Sequence, residues 1–200
     1  MISSLTAEKL ACVRGDKRLF EALNFRVSAG QALAVEGANG AGKTSLLRLI
    51  AGFLAPAAGR IVVKSPQGES DDAEERGRSI GWLGHLDGLK PQLTVIEQLR
   101  FYASLYGKPS NDTLLEQVGL ARQRHLPCRY LSAGQRRRLA LARLLASVRP
   151  LWLLDEPFAA LDTSGQTLVA QLMRQHCGAG GIVIAATHDP LGLGNESLKL

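Results

Sequence analysis

An α/β fold is the architecture this 200-residue chain predicts, and three observations carry it. Residues 151–154 (LWLL) and 182–186 (IVIAA) are continuous apolar runs, the pattern of strands buried on both faces of a sheet. Residues 31–36 (QALAVE) place Leu33 and Val35 on one strand face and stop at Gly37. Leu46, Leu47 and Ile50 then follow at helical spacing. Strands that alternate with helices in this way build a sheet covered by helices.

In chain order, Gly52 and Pro56 stop the helix that carries Leu46. Residues 61–63 (IVV) and 80–83 (IGWL) read as further strands, the first at a sheet edge, and the polar stretch SPQGESDDAEERGR between them is expected as a loop. From Thr94 to Tyr106 the side chains of Val95, Leu99, Tyr102 and Tyr106 recur on one side, and Thr94 with Glu97 makes a capping box. A short helix is expected over 112–118, ended by Gly119. The next one begins LSAGQRRRLALARLL, where Ser132 and Gln135 repeat the cap spacing. No strand pattern interrupts residues 89–147, which are expected as a helical subdomain beside a core made of residues 1–88 and 148–200, the two forming a single domain.

A domain of this length buries about 70% of the surface its unfolded chain exposes. No apolar run approaches the ~20 residues that cross a bilayer. The start, Met1 to Ser4, lacks the basic and apolar regions of a secretory leader, so a cytosolic location is expected. Cys12, Cys128 and Cys177 are too dispersed for a zinc site or a disulfide framework and are expected as reduced thiols. The net charge of +6 suits nucleic acid, an anionic membrane and a phosphorylated ligand equally, and it excludes none of them.

The chemistry starts at residues 37–44, GANGAGKT, which match G-x-x-x-x-G-K-[ST] with a strand before and a helix after. Backbone N–H groups of Gly37, Ala38, Asn39, Gly40, Ala41 and Gly42 are expected to converge on phosphate oxygens. Ser45 lies in the first turn of a helix whose positive end faces the same point. Lys43 would reach the β- and γ-phosphates, and the Thr44 hydroxyl would hold Mg²⁺. LWLLDEP adds Asp155 and Glu156 at the carboxyl end of a strand, where α/β sheets bind ligands. Asp155 is expected to hold Mg²⁺ through its water shell, and Glu156 to accept a proton from the attacking water.

One P-loop leaves the far side of the γ-phosphate unneutralised. LSAGQ offers a second anion site, with Ser132 at a helix N-cap, Gly134 permitting close backbone approach, and a dipole that aims about half a positive charge outward. The economical arrangement is two copies of the chain, each closing the other's nucleotide. Arg136, Arg137 and Arg138 cannot share one helix face. They form no stripe that reads a groove, and no nucleic-acid partner is expected. Arg143 is expected to pair with acids near the strands.

GANGAGKT, LSAGQ, LLDEP, ALD at 160–162 and TH at 187–188 follow one another as they do in ABC-transporter ATP-binding subunits, which the chain resembles over almost its whole length. The resemblance implies the P-loop NTPase fold of the ABC ATPases, with a RecA-like mixed-sheet core and a helical subdomain. It implies ATP hydrolysis, with ATP and Mg²⁺ as cofactors. It also implies a head-to-tail homodimer in which Ser132 and Gly134, within the Ser132 to Gln135 signature, reach the γ-phosphate held by the other copy. Asp162 would lie at the seam, and His188 would touch the γ-phosphate and orient the water. Chromosome-associated relatives insert long coiled coils, translation-associated ones carry two cassettes, and small P-loop kinases need no LSAGQ; none of these patterns is present.

Three positions depart from the family. WLGHLDG supplies His85 where glutamine usually contacts Mg²⁺ and the attacking water; a neutral imidazole accepts a hydrogen bond, while a protonated one repels the cation. CVRGDKRLF has Arg14, with Phe20 nearby, where an aromatic ring usually stacks on adenine. Ala133 adds a methyl group to the signature. These marks, with LGHLDGLKPQLTVIEQLRFY and LSAGQRRRLALARL, resemble the CcmA subfamily, ATP-binding subunits of the bacterial cytochrome c maturation system. That resemblance implies the membrane partners CcmB, CcmC and CcmD at the cytoplasmic face of the inner membrane. It also implies hydrolysis that supports release of haem-loaded CcmE; the alternative is the ATP-binding subunit of another small-molecule ABC transporter. Phe101, Tyr102 and Tyr106 are the expected docking surface.

Overall fold

The structure, a computed structural model, describes residues 2–109, 111–192 and 196–200; Met1, the first residue of the segment read for a leader, lies outside them. The chain opens with a long hairpin, β1 (Ser4–Arg14) and β2 (Lys17–Ser28), closed by the two-residue turn Gly15-Asp16. β3 (Ala32–Glu36) leads through the P-loop into α1 (Lys43–Ile50). Then come β4 (Ala58–Ser65), β5 (Gly68–Ser70), α2 (Ala73–Gly77) and β6 (Ile80–Leu83). The helical stretch contains α3 (Val95–Leu105), α4 (Thr113–Gln117) and α5 (Ala133–Ser147), with two 3₁₀ turns before α5. β7 (Leu151–Asp155), α6 (Thr163–Gly178), β8 (Ile182–Ala186) and β9 (Glu196–Lys199) complete the order.

The strands fall into two sheets. β6-β7-β8-β3-β9 form a parallel sheet, and β2-β1-β4-β5 an antiparallel one, so the parallel and antiparallel pairings of the expected mixed-sheet core are held separately. Side chains alternate across a strand, and here each face of the parallel sheet builds its own core. Leu33, Val35, Leu151, Leu153, Ile182 and Ile184 pack with α1 and the antiparallel sheet. Trp152, Leu154, Val183 and Ala185 pack on the other side with α5, α6 and the apolar residues of α3. Each buried leucine or isoleucine contributes about 1.5–3 kcal/mol. The continuous apolar runs in the sequence are the trace of strands covered on both sides.

Several expectations change. Residues 61–63 belong to a longer strand, β4, which lies between β1 and β5 and not at an edge. The stretch SPQGESDDAEERGR is not a plain loop: it holds β5 and α2. Asp72 caps α2 by accepting from the Glu75 N–H at 2.7 Å, and Arg76 turns inward to donate to the carbonyls of Ile50, Ile61 and Asp71. Burial pushes the Arg76 guanidinium below its ordinary pKa. One anchored arginine therefore organises a segment whose composition reads as solvent-facing. The β1–β2 hairpin is obscured in the sequence because register shifts break its two-residue period, with Lys9 and Ala22 at positive φ.

His176, near the end of α6, stacks on Trp152 with ring centroids 3.9 Å apart, and its Nε2 lies 3.1 Å from the Pro150 carbonyl oxygen. Burial lowers its pKa, outweighing the hydrogen bonds with the Pro150 and Ile182 backbone that act in the opposite sense. The unfolded chain therefore binds the proton more readily than the native one, and stability falls as pH drops below the unfolded value of about 6.5. Urea midpoints measured between about pH 7.5 and 5.5 are expected to decline, and His176→Gln should flatten that decline. An equal slope in the variant would remove His176 as its source.

Candidate active site

Three adjacent parallel strands, β7, β8 and β3, end at the same level. Asp155 pairs with Ala186, and Ala186 with Val35. The residues one or two beyond these ends are Glu156, Thr187 with His188, and Glu36 with Gly37, so distant segments meet at one edge without long side chains to bridge them.

The turn after β3 brings Lys43 back toward its own loop. Gly42, the residue before α1, has φ +113°, and a Cβ there would lie 3.2 Å from Leu19 Cβ and 3.3 Å from the Phe20 ring. Only glycine combines that dihedral with that approach. Lys43, buried although charged, donates to the Gly37 carbonyl at 2.8 Å and lies 3.0 Å from His188 Nε2. An ammonium has only protons to give, so Nε2 presents its lone pair to Lys43. The same nitrogen lies 3.2 Å from Asn39 Oδ1 and 3.7 Å from Glu156 Oε1. Lysine, histidine and glutamate thus face one space from three strand ends.

Thr44 Oγ1 donates to either carboxylate oxygen of Asp155, each at 3.1 Å, and Asp155 is buried. A hydroxyl and a carboxylate converging with oxygen donors alone suit Mg²⁺, which keeps waters and nucleotide phosphates in its shell. It needs no all-protein cage, and no cluster of three His, Cys, Asp or Glu side chains is found among the described residues. Glu156 has φ +48°, a left-handed conformation that costs a non-glycine residue about 1–2 kcal/mol.

Lys43, Thr44, Asp155 and Glu156 line a cleft of about 450 Å³, while His188, Gly37 and Ala41 are not part of its wall. Ala38, Asn39, Gly40, Gly42, Lys43, Thr44, Ser45, Asp155 and Glu156 all border it, as do His85 and Arg14, two of the departures from the family pattern. Leu19 and Arg48 also line it and were not anticipated. Leu19 offers an apolar patch beside the exposed Arg14, while Phe20 is turned against Gly42. Arg48 is the exposed position on an otherwise buried stretch of α1, a signal visible in the sequence.

Ser132, Gly134, Gln135 and Asp162 do not border that cleft. They gather elsewhere. Ser132 Oγ accepts from the Gln135 N–H at 3.2 Å, Gln135 Oε1 accepts from the Ser132 N–H at 2.9 Å, and α5 begins in a complete capping box. A Cβ on Gly134 would stand 3.0 Å from the Ala160 carbonyl, so the signature and the turn before α6 are in contact. Asp162 caps α6 by accepting from the Gly165 N–H at 2.8 Å. That bond, then the Ser164 hydroxyl and Arg138, hold its carboxyl below the usual range.

The three arginines diverge as helical spacing requires. Arg136 donates to the Leu131 carbonyl, Arg138 to Asp162 and Ser164, and Arg137 points inward. Arg143 does not pair with acids: it donates to the Asp87 carbonyl at 2.7 Å and lies 4.6 Å above the Tyr102 ring.

The family pattern of ABC transporters matches residues 20–159. The cytochrome c biogenesis ATP-binding export protein CcmA of Rhodopseudomonas palustris strain BisB5 is 50% identical over 198 residues, covering 98% of this chain and 97% of that one. The protein of the same description from Bradyrhizobium diazoefficiens is 48% identical over the same shares. Among solved structures, a putative ABC transporter ATP-binding protein from Pyrococcus furiosus superposes with a TM-score of 0.86 at 27% identity, covering 99% of this chain and 98% of that chain.

A buried ammonium aimed into an oxygen-lined cleft predicts a single-residue test. Lys43→Ala should weaken binding of a fluorescent ATP analogue by about tenfold to a hundredfold, the worth of a charge-assisted hydrogen bond. Unchanged affinity would reject the phosphate assignment.

Proposed function

The chain belongs to the ABC transporter family and, within it, to the cytochrome c biogenesis ATP-binding export proteins called CcmA; it is an ATPase, and on that premise we propose that its hydrolysis of ATP drives haem delivery in cytochrome c maturation. The observation that carries the catalytic part is the convergence of Lys43, Thr44, Asp155 and Glu156 on one cleft, with His188 set against Lys43 and Glu156.

Gly37 to Ser45 bind the triphosphate through backbone N–H groups, with Lys43 on the β- and γ-phosphates. Thr44 and Asp155 would hold Mg²⁺, which would neutralise phosphate charge. Glu156 takes the proton of the attacking water. His188, set against Lys43 and Glu156, touches the γ-phosphate and orients that water. His85 lies on the cleft wall that would face the cation, and Arg14 with Leu19 receives the base.

Two copies of the chain complete the site. Ser132, Gly134 and Gln135 lie on a surface apart from the cleft, and in a head-to-tail homodimer each copy presents that helix end to the γ-phosphate of the other, with Asp162 at the seam. The remaining partners are membrane subunits, CcmB with CcmC and CcmD, acting on CcmE. No helix among the described residues is long and apolar enough to cross a membrane, which fits peripheral attachment at the cytoplasmic face of the inner membrane. The docking surface is the helical face around Phe101 and Tyr106. Leu105 there is 63% exposed, while Tyr102 is tied down by donating to the Gly88 carbonyl at 2.8 Å.

Two experiments test this reading. Glu156→Gln should still bind ATP, lose turnover by about a hundredfold or more, and accumulate as a dimer in size-exclusion chromatography with ATP-Mg²⁺. A monomer at saturating nucleotide counts against the two-copy site. Affinity purification of the chain from detergent-solubilised membranes should recover CcmB, and its loss on Leu105→Asp would locate the docking face. Failure to recover any membrane subunit rejects the coupling.

A further inference from the structure

Arg137 lies in the second turn of α5 and is 3% exposed, although its guanidinium carries a full charge. A buried charge persists only where oxygen acceptors replace water. Arg137 finds four. Nη1 donates to the Gly84 carbonyl at 2.8 Å and lies 3.3 Å from Asp87 Oδ1. Nη2 donates to the Asp155 carbonyl at 2.8 Å and to the Glu156 carbonyl at 2.6 Å. Its Nε is buried without a hydrogen-bond partner, so the fork is oriented for the two Nη groups at the expense of the third.

Those acceptors lie on segments far apart in the chain. Gly84 and Asp87 flank His85 on the cleft wall. Asp155 ends β7 and Glu156, with its left-handed backbone, follows it, and their successive carbonyls face one nitrogen. Arg137 itself rides on the helix that begins at Ser132.

We propose that Arg137 is a positioning residue for the hydrolytic step, holding the Glu156 backbone and the His85 turn in fixed relation to the helix that begins at Ser132. The proposal rests on the reading of Glu156 as the base. It makes placement of that carboxylate depend on the position of α5, the helix whose first turn meets the other copy's nucleotide. Lysine cannot substitute fully, because its compact ammonium does not span the carbonyls on either side as a planar fork does.

The test uses the full chain with ATP-Mg²⁺, measuring kcat, KM and the affinity for a fluorescent ATP analogue, with thermal unfolding as the check on folding. Arg137→Gln is expected to lower kcat by about a hundredfold, the cost of a reacting group displaced by roughly 1 Å. Affinity should stay within about threefold, because the P-loop is untouched. Arg137→Lys should restore part of the loss. In single-turnover assays on a Glu156→Gln background, Arg137→Gln should cost less than about threefold, since the group it positions is already gone. A folded Arg137→Gln protein with parental kcat overturns the proposal, as does an equal loss in both backgrounds. If that variant does not fold, Arg137→Lys decides: parental kcat overturns the proposal, and a loss of about tenfold at unchanged affinity supports it. Parental turnover in Glu156→Gln itself rejects the base assignment, independently of Arg137.

Discussion

The in-register alignment of β7, β8 and β3 is the constraint on which the site depends. Parallel strands expose their carboxyl ends along one edge, and the pairing of Asp155 with Ala186 and of Ala186 with Val35 puts three such ends at one height. A slip of one residue in β7 would turn Asp155 from one face of the sheet to the other. The two apolar cores prevent that slip, because shifting β7 would send Leu151 and Leu153 into the space of Trp152 and Leu154. Catalytic geometry here is a consequence of core packing.

Local strain and buried charge also occur at that edge. Glu156 stands in a left-handed conformation, Lys43 is buried with its charge, and Arg137 leaves one N–H unsatisfied. Each is unfavourable in isolation, and each is held by hydrogen bonds to groups that are themselves fixed by the sheet. Such features persist when the surroundings over-determine them, and they gather where function requires a fixed arrangement.

α5 belongs to two environments. Its first turn, capped by Ser132 and Gln135, faces outward with its N-terminal dipole, while Leu139, Ala140 and Leu144 lock its body to the sheet. The outward end can therefore contribute positive potential to a partner without moving its own core. Arg138 and Asp162 continue that surface, joining α5 to the start of α6 through a bridge at 3.2 Å.

The sequence by itself determined whatever is encoded in contiguous residues. The P-loop, the capping boxes at Thr94 and Ser132, and the buried strands of 151–154 and 182–186 are local, since each depends on neighbours within a few positions and on a regular period. The bulged hairpin of 4–28 was illegible because register shifts erase its alternation. Residues 65–78 misled because composition does not reveal that Arg76 turns inward to three carbonyls. Arg137 shares a helix face with Leu141 and Leu144, a hint that it is buried, but its acceptors lie between 18 and 53 positions away. Only the tertiary structure decided that Leu19 and Arg48 share one wall with the P-loop and Glu156. Periodicity fixes which face of an element is apolar. Which distant groups that face then meets is set by the packing of whole layers.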